Sequence, residues 1–390
     1  MRNNLFKKTL LVLFPLILSF SITPKIFAET IKIGQSLPLT GEMEKSAQEF
    51  QKGSLSWINY INSRGGINGK QIELITKDDK GNSETALKIT ENFILDDILV
   101  LYGYLGYDSA MKSYELSKKN KLAFFGAATG STELHEFSEP NAFFTRPDYG
   151  RETASMVDLL IENKKNKISF FYSDSNWAES FYKGAKWSFE EKNLKIFSSA
   201  SVQTKNPDFK FAAKKINSGF PDAVIIASEA EIAALFIKEL RKLNPSIIIM
   251  AASEVDGSKL SGLLMNQGIG VIVSQVVPFP FQTRYQITNL YKRLSSRFYP
   301  EETASFKGFE GFISARALTT ILSDCEEPIT REGFIKKAHE MPSVNLGGFV
   351  FDFKENKATG SVKTYFTQIG PGGFLSPIIS LKDVYKYSPL

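Results

Sequence analysis

The chain has 390 residues, of which 43% are hydrophobic and 23% charged, and its formal net charge is +5. This length exceeds what a single hydrophobic core comfortably organises, so we expect two lobes. Cys325 is the only cysteine in the sequence. An intramolecular disulfide is therefore excluded, and Cys325 is expected to be a small buried hydrophobic residue.

The amino terminus has the pattern of a secretory signal peptide. Three cations precede an apolar run at 9–22, and we predict cleavage after Ala28. The run is interrupted by Pro15 and is shorter than the roughly 20 apolar residues of a membrane span, which favours a signal peptide over the alternative of a membrane anchor. No cysteine stands at the cleavage point to carry a lipid. We therefore expect a soluble, monomeric protein in the periplasm.

The positive charge of the whole chain does not indicate a nucleic-acid partner. Four of its cations belong to the predicted signal peptide, namely Arg2, Lys7, Lys8 and Lys25, so the formal charge of +5 falls to +1 when they are removed. In the remaining chain, lysines and acidic residues alternate as they do on solvated helix faces.

From residue 31 onward, short β-branched or aromatic runs alternate with longer amphipathic stretches, which is typical of an open, largely parallel α/β sheet. Strands are predicted at 31–37, 72–77, 98–102 and 122–125, and helices at 46–63, from 83 and from 109. The first helix places Phe50, Leu55 and Ile58 on one side, and Gly65 can end it in a left-handed turn.

After an extended segment at 142–147, the alternation starts again. Helices are predicted at 152–162, 178–191, 208–217 and 231–243, and strands at 168–172, 194–199, 223–227 and 247–251. Two consecutive series of this kind predict an α/β protein with two doubly wound parallel-sheet lobes.

Three later helices, predicted at 284–298, 303–322 and 331–340, have no strands between them. Such helices must cover a sheet formed earlier, so the chain is expected to return to the first lobe near 276–280. A strand-rich tail from 349 indicates one more crossing.

The predicted organisation is a signal peptide at 1–28, a first lobe at 29–147 and 278–351, and a second lobe at 148–277 and 352–390. Three crossings between the lobes form a hinge. Open α/β sheets bind ligands beside the carboxyl ends of their strands, so we expect the ligand in the cleft between the lobes.

Several motifs accompany these elements: Ile31–Gly34, Leu37–Gly41, Asn62–Lys70, Asp78–Asp79, Gly103–Gly106, Ala127–Gly130, Arg146–Tyr149, 171–177 and Glu310–Phe312. Together they resemble the leucine/isoleucine/valine-type periplasmic binding proteins over nearly all of the mature chain. The resemblance implies a type I periplasmic binding fold, an ABC-transporter permease as partner and amino-acid-like ligands. Family members hold the ligand carboxylate with a small hydroxyl residue after the third strand, where this chain has Gly106–Tyr107. Backbone amides or Ser109 are the expected substitutes.

The ligand-binding candidates of the first lobe follow its third and fourth strands. They are Tyr104, Leu105, Gly106, Tyr107, Ala127, Ala128 and Thr129. Backbone N–H groups and the Thr129 hydroxyl can serve as neutral donors to a ligand, although an ordinary strand-to-loop turn is the alternative. Tyr104 and Tyr107 can supply aromatic surface to a ligand or can simply cover the core.

The candidates of the second lobe are Trp177, Glu229 and Glu254, which also follow predicted strands. Trp177 can face the tyrosines across the cleft. Either glutamate can accept a charge-assisted hydrogen bond from a ligand ammonium, or can instead complement the dipole of the helix that it precedes. The resemblance places the amine-binding acid of the family near Glu254.

Two further candidates, Ser46 and Phe312, come from the resemblance. Ser46 can alternatively cap the first helix, and Phe312 can belong to the core. Arg146 and Tyr149 stand at the first crossing and are interpreted as hinge-fixing residues.

The sequence has no recognisable catalytic motif. His135 and His339 are its only histidines and neither has zinc-binding spacing. Asp78 and Asp79 would point to opposite faces of a strand, so they do not predict a metal pair. We expect a binding protein without enzymatic activity, cofactor or metal, which closes on an amino-acid-like or amide ligand and delivers it to an ABC permease. The alternative is a periplasmic receptor that signals through a membrane partner.

Overall fold

The computed structural model describes residues 30–136, 140–354 and 357–388. The predicted signal peptide and its cleavage site lie outside the described residues. The first part of the chain alternates strands and helices: β1 (Thr30–Leu37), α1 (Glu44–Asn62), β2 (Gln71–Asp78), α2 (Ser83–Leu95), β3 (Val100–Tyr102), α3 (Tyr107–Lys119), β4 (Ala123–Phe125), α4 (Thr132–Glu136) and β5 (Ala142–Phe143).

These strands form a parallel sheet in the order β2–β1–β3–β4–β5. Because β2 and β3 flank β1 on opposite sides, the winding direction reverses beside β1, as in doubly wound sheets that bind ligands at the reversal. The short strands β3 and β4 are completely buried, which explains why both read as continuous apolar runs.

The second series contains α5 (Tyr149–Glu162), β6 (Ile168–Ser173), α6 (Asn176–Glu191), β7 (Ser199–Val202), α7 (Phe209–Asn217), β8 (Ala223–Ala227), α8 (Ala230–Leu243), β9 (Ile248–Ala251), α9 (Gly257–Leu264) and β10 (Ile272–Gln275). From β10 to β7 the sheet is parallel, in the order β10–β9–β8–β6–β7. Two late strands, β13 (Tyr365–Ile369) and β14 (Leu375–Ile378), add an antiparallel edge beside β10.

The predicted strand at 194–199 is wrong, because the strand of this region is β7 at Ser199–Val202. The Leu194 N–H instead donates to the carbonyl of Phe189 and closes the turn after α6. The apolar side chains at 194 and 196 lie in this connecting segment and pack on the core. Their alternation with polar residues resembles the sequence pattern of a strand. The elements α4, α9 and β10 were not predicted, since each is short and α9 contains two glycines.

The helices without intervening strands are α10 (Gln286–Phe298), α11 (Phe306–Ser323) and α12 (Arg331–Glu340). Helices α10 and α11 pack on α1, and α12 lies against α11 and β4, so all three belong to the first lobe and contribute to its core. A small ribbon of β11 (Val344–Asn345) and β12 (Val350–Phe351) follows. The chain then returns to the second sheet through β13.

The chain thus passes between the two sheets three times. The first and third passages run side by side: Phe144 donates its N–H to the carbonyl of Ala358 at 2.8 Å and accepts from Gly360 at 2.8 Å. These bonds join two passages into one hinge ribbon. The exact lobe boundaries at 147, 277 and 351 stay a prediction.

Helix α11 is buried on almost all sides, with 13 of its 18 residues inside the protein. It contacts both α1 and the first sheet: the Trp57 indole N–H of α1 donates to the Thr319 hydroxyl at 2.6 Å, and the Tyr102 hydroxyl of β3 donates to the Gly311 carbonyl at 2.9 Å. The two helices approach closely where Gly53 faces Gly308 and where Gly311 faces the Phe50 carbonyl. Only glycines allow the backbones to come so near.

We therefore expect Gly53→Ala to destabilise the protein. A β-carbon at this position would overlap the carbonyl oxygen of Gly308, which is backbone and cannot rotate away. Overpacking of this kind costs about 1–3 kcal/mol of unfolding free energy, measurable by urea denaturation. The control is Gly262→Ala in α9, where nothing lies within 4 Å of the added carbon. Equal stability of both variants would contradict the close helix contact.

Candidate ligand-binding cleft

The carboxyl ends of both sheets face the junction between the lobes, and polar contacts close one side of it. The Asn176 amide donates to Asp108 at 2.7 Å, and the Ser180 hydroxyl donates to Glu133 at 2.5 Å. Lys183 adds an ion pair with Glu133 at 3.6 Å. These contacts join α3 and α4 of the first lobe to α6 of the second.

The junction also contains a cavity of about 600 Å³, which is lined by both lobes and by none of these contact residues. Its walls come from the start of α1, the loop at 253–258 after β9, the second passage at 275–281, the start of α11 and the hairpin turn at 373–375. A volume of this size falls in the range of about 300–1,000 Å³ that small-molecule sites occupy. We refer to this space as the cavity.

A buried arginine lies beside the cavity, in the first passage between the lobes. Arg146 is 1% exposed and forms ion pairs with Glu310 and Glu254, both at 3.2 Å, and with Glu152 at 4.0 Å. Its guanidinium also donates to the Ser253 hydroxyl at 2.9 Å. We call Arg146 and these three glutamates the arginine cluster.

Charges in the arginine cluster depend on one another. Burial alone would lower the pKa of Arg146, but the carboxylates of Glu254, Glu310 and Glu152 raise it above its ordinary value. Burial raises the pKa of Glu152 despite Arg146 and the hydroxyls of Ser274 and Ser253. For Glu310 burial acts in the same direction, yet Lys307 and Arg146 outweigh it and lower the pKa. A buried charge is tolerated here because it is paired and hydrogen-bonded.

Glu254 belongs both to the arginine cluster and to the cavity wall. Its Oε1 pairs with Arg146 and accepts from the Tyr149 hydroxyl at 3.2 Å. Since the single Tyr149 proton goes to the carboxylate, the Thr129 hydroxyl at 3.1 Å is the donor to Tyr149. The Glu254 side chain is 18% exposed. Glu254 Oε1 is therefore bonded to Arg146 and Tyr149, and the side chain also lines the cavity.

Of the predicted binding residues, Ser46 and Glu254 line the cavity. Ser46 lies in the first turn of α1, whose N-cap is Met43, so the alternative role of Ser46 as a cap is wrong. Glu229 is at the N-cap position of α8 and makes no capping hydrogen bond with its side chain. Its Oε1 accepts from the Trp177 indole at 3.1 Å, so these two candidates of the second lobe contact each other.

Two aromatic candidates lie in the core, which corrects the expectation that they face a ligand. The Tyr104 ring packs 5.1 Å from that of Phe124, and its hydroxyl bonds to Thr90 at 2.8 Å. Phe312 lies on α11 with its ring 5.5 Å from Trp57. Both side chains are fully buried, so neither presents surface to the cleft.

The other candidates of the first lobe lie along the loops after β3 and β4. Leu105 and Ala128 form a bridge that continues the sheet, and the Ala128 N–H donates to the Tyr104 carbonyl at 2.7 Å. That N–H is therefore not available to a ligand, contrary to expectation. The side chains of Ala127 and Thr129 are buried, and Ser109 is buried too.

Gly106 is the N-cap of α3, with a φ of 98° that favours glycine. The next residue, Tyr107, is partly buried at the closed side of the junction. Burial and the nearby Glu133 carboxylate raise its pKa, while the hydroxyls of Ser180 and Ser131 act against this. Tyr107 therefore contacts α6 of the second lobe, at the position where the family resemblance predicted a small hydroxyl residue.

Several cavity residues were not predicted from the sequence. Glu49 projects from α1, where burial raises its pKa against the opposing effects of the Ser305 hydroxyl and Lys45. Four phenylalanines of the lining were not predicted either: Phe279, Phe281, Phe306 and Phe374. Phe279 and Phe281 alternate with Pro278 and Pro280 shortly after β10. An aromatic pair in a segment that crosses between the lobes was the signal that could have identified them.

His135 is a structural residue of the hinge. Its ring stacks on Phe144 at 4.0 Å, and its two nitrogens lie 2.7 Å from the Thr359 hydroxyl and 3.4 Å from the Thr129 carbonyl. Burial lowers its pKa to about 4, so the ring is neutral at neutral pH. Among the described residues, no group of histidine, cysteine, aspartate and glutamate has the arrangement of a metal site.

Comparisons with known proteins agree with this architecture. A family model described as periplasmic binding protein matches residues 30–373. The Leu/Ile/Val-binding protein homolog 7 of Brucella melitensis is 22% identical over 57% of this chain and 58% of its own length. The leucine-, isoleucine-, valine-, threonine- and alanine-binding protein of Pseudomonas aeruginosa is 18% identical over 63% of this chain and 66% of its own. The aligned part thus spans little more than half of the Brucella relative.

A solved structure shows the same fold. The substrate-binding periplasmic protein of Ralstonia solanacearum superposes with a TM-score of 0.78 and 22% identity, over 89% of this chain and all of the other. The fold is therefore that of the type I periplasmic binding proteins. In the described part of this chain, no helix is both long and apolar enough to cross a membrane.

The chain belongs to the periplasmic binding protein family. The predicted resemblance to leucine/isoleucine/valine-binding proteins is thereby confirmed. Membership of a family of binding proteins also agrees with the expectation that the chain is not an enzyme.

Replacing Arg146 by Met should strongly destabilise the protein. The change leaves Glu152, Glu254 and Glu310 without their shared cation, and removing one partner of a buried ion pair costs about 3–5 kcal/mol. Urea denaturation at neutral pH measures the loss. Lys242→Met is the control, because the pair of Lys242 with Glu239 is on the surface and contributes at most about 1 kcal/mol. A similar small effect of both variants would show that the arginine cluster does not stabilise the junction.

Proposed function

We propose that the protein is a periplasmic solute receptor that closes its two lobes on a small amine-bearing, amino-acid-like ligand and delivers it to an ABC-transporter permease. The single observation that carries the proposal is the position of Glu254, a carboxylate oriented from behind by Arg146 and Tyr149 at the wall of an interlobe cavity. A ligand ammonium there would gain a charge-assisted hydrogen bond in a partly desolvated site.

The charge of the cavity favours a cationic group over an anionic one. Its lining carries four carboxylates, those of Glu49, Glu254, Asp256 and Glu310, and two lysines. Both lysines are paired: Lys307 lies 3.0 Å from Glu310 and Lys45 lies 4.0 Å from Glu49. A phosphate or strongly acidic ligand would meet net negative charge here.

Hinge closure gives the cavity a role in transport. Its lining comes from both lobes, so a bound ligand stabilises the closed arrangement over an open one and shifts the population toward it. A permease that recognises the closed form would then receive loaded receptor. The names of the Brucella and Pseudomonas relatives support branched-chain and similar amino acids as the first ligands to test.

We expect Glu254→Gln to weaken the binding of an amine ligand at least tenfold. Losing one member of a desolvated charge pair costs about 2–5 kcal/mol, whereas Thr129→Ala removes a neutral hydrogen bond to Tyr149 and should cost only about 0.5–1.5 kcal/mol. A thermal-shift screen of amino acids and amides identifies the ligand, and titration calorimetry on wild type and variants measures the loss.

Glu229→Gln is the matched control, because this glutamate also follows a strand of the second lobe but does not line the cavity. Its affinity should stay near that of wild type. The reverse pattern, with Glu229→Gln weakened and Glu254→Gln normal, would move the ammonium to Glu229. Wild-type affinity in both variants would contradict an amine ligand altogether.

Uptake measurements distinguish transport from sensing. Deleting the gene should abolish uptake of the radiolabelled ligand by intact cells, and plasmid-borne wild type should restore it where Glu254→Gln does not. Normal uptake in the deletion strain, with loss of a ligand-dependent transcriptional response, would support the alternative receptor that signals through a membrane partner.

A further inference from the structure

Two exposed phenylalanines stand at the mouth of the cavity. Phe281 is 51% exposed and is the last residue of the second passage, and Phe374 is 78% exposed at the turn between β13 and β14. They belong to different segments of the chain, and both line the cavity. Such aromatic surface is costly to leave in water and is typical of ligand grooves.

Two further phenylalanine rings lead from Phe281 toward the interior of the cavity. The ring centroid of Phe281 lies 5.3 Å from that of Phe279, which lies 5.9 Å from that of Phe306 at the start of α11. Both spacings are those of favourable aromatic pairs. We call Phe279, Phe281 and Phe306 the aromatic run. It offers a continuous apolar wall from the mouth to the interior of the cavity.

Phe374 is held in place by its hairpin rather than by contacts of its ring. Gly372 and Gly373 have φ values of 76° and 82°, which favour glycine, and the Gly370 N–H donates to the Phe374 carbonyl at 2.9 Å. The Ser261 hydroxyl of α9 donates to the Gly373 carbonyl at 2.7 Å. The backbone of this turn is therefore fixed to the second lobe while the ring stays exposed.

We propose that the aromatic run and Phe374 bind an extended apolar part of the ligand, so that the receptor takes amines with a straight or aromatic chain longer than a branched-chain side chain. This inference rests on the proposed amine-binding function and adds the ligand class. The ammonium binds at Glu254, and the chain follows the aromatic run toward the mouth, where Phe281 and Phe374 cover its end. A short side chain such as that of valine would leave this wall hydrated.

Calorimetry with straight-chain α-amino acids tests this assignment. Norvaline, norleucine, aminoheptanoic acid and aminooctanoic acid share one head group and differ only in chain length. We expect the affinity of the wild-type mature protein to rise about fourfold for each added methylene, because each buried methylene contributes a constant increment. Phe281→Ala and Phe374→Ala should flatten the rise for the two longest members and leave norvaline within about twofold of wild type.

The matched control is Phe211→Ala, since Phe211 is also exposed, at 65%, but lies on α7 and does not line the cavity. Its series should equal that of wild type. Affinity that stays flat beyond norvaline, or that rises equally in Phe281→Ala and Phe374→Ala, would overturn the extended apolar site while leaving amine binding intact. Failure of every member to bind would instead overturn the amine-binding function, and this inference with it.

Discussion

The buried guanidinium of Arg146 connects the hinge of this protein to its cleft. It lies in the first passage between the lobes and pairs with a carboxylate of α11 on one side and with two carboxylates of the second lobe on the other. A lone charge at such a depth would cost several kcal/mol of desolvation, so the fold must bring these acids together to be stable. Segments that are far apart in the sequence are thereby tied to a single point of the junction.

The same cluster orients the candidate ligand contact. Glu254 is constrained through Arg146 and through the chain of hydroxyls from Thr129 to Tyr149, so its carboxylate needs little ordering when a ligand arrives. Preorganisation of this kind favours affinity, because less side-chain freedom is lost on binding. The aromatic run then lies on the same cavity as the oriented acid. The hinge residue Arg146 contacts Glu254, and Glu254 and the aromatic run line the same cavity.

Much of the fold could be predicted because parallel α/β units have a strong local pattern. The strand at 223–227 is apolar throughout and was placed correctly to the residue, since a strand buried on both faces needs apolar residues at every position. Prediction failed where apolar residues pack from a connecting segment, as at 194–199, and where an element is too short to show a period, as in α4 and β10. The side chains of Tyr104 and Phe312 were misplaced because a motif gives the position of a residue but not the face on which it lies.

The amino-acid sequence by itself determined the alternation of strands and helices, the two lobes, the family and the position of Glu254 after a strand of the second lobe. These features depend on local periodicity and on motifs within a few residues. Only the tertiary structure decided that Glu254 is held by Arg146, that Tyr107 contacts the second lobe, and that phenylalanines from the second passage and the β13–β14 hairpin share one cavity. Such contacts join residues about 100 positions apart, as between Arg146 and Ser253. These residues become neighbours only because the chain crosses between the lobes, and a local sequence pattern carries no information about such a contact.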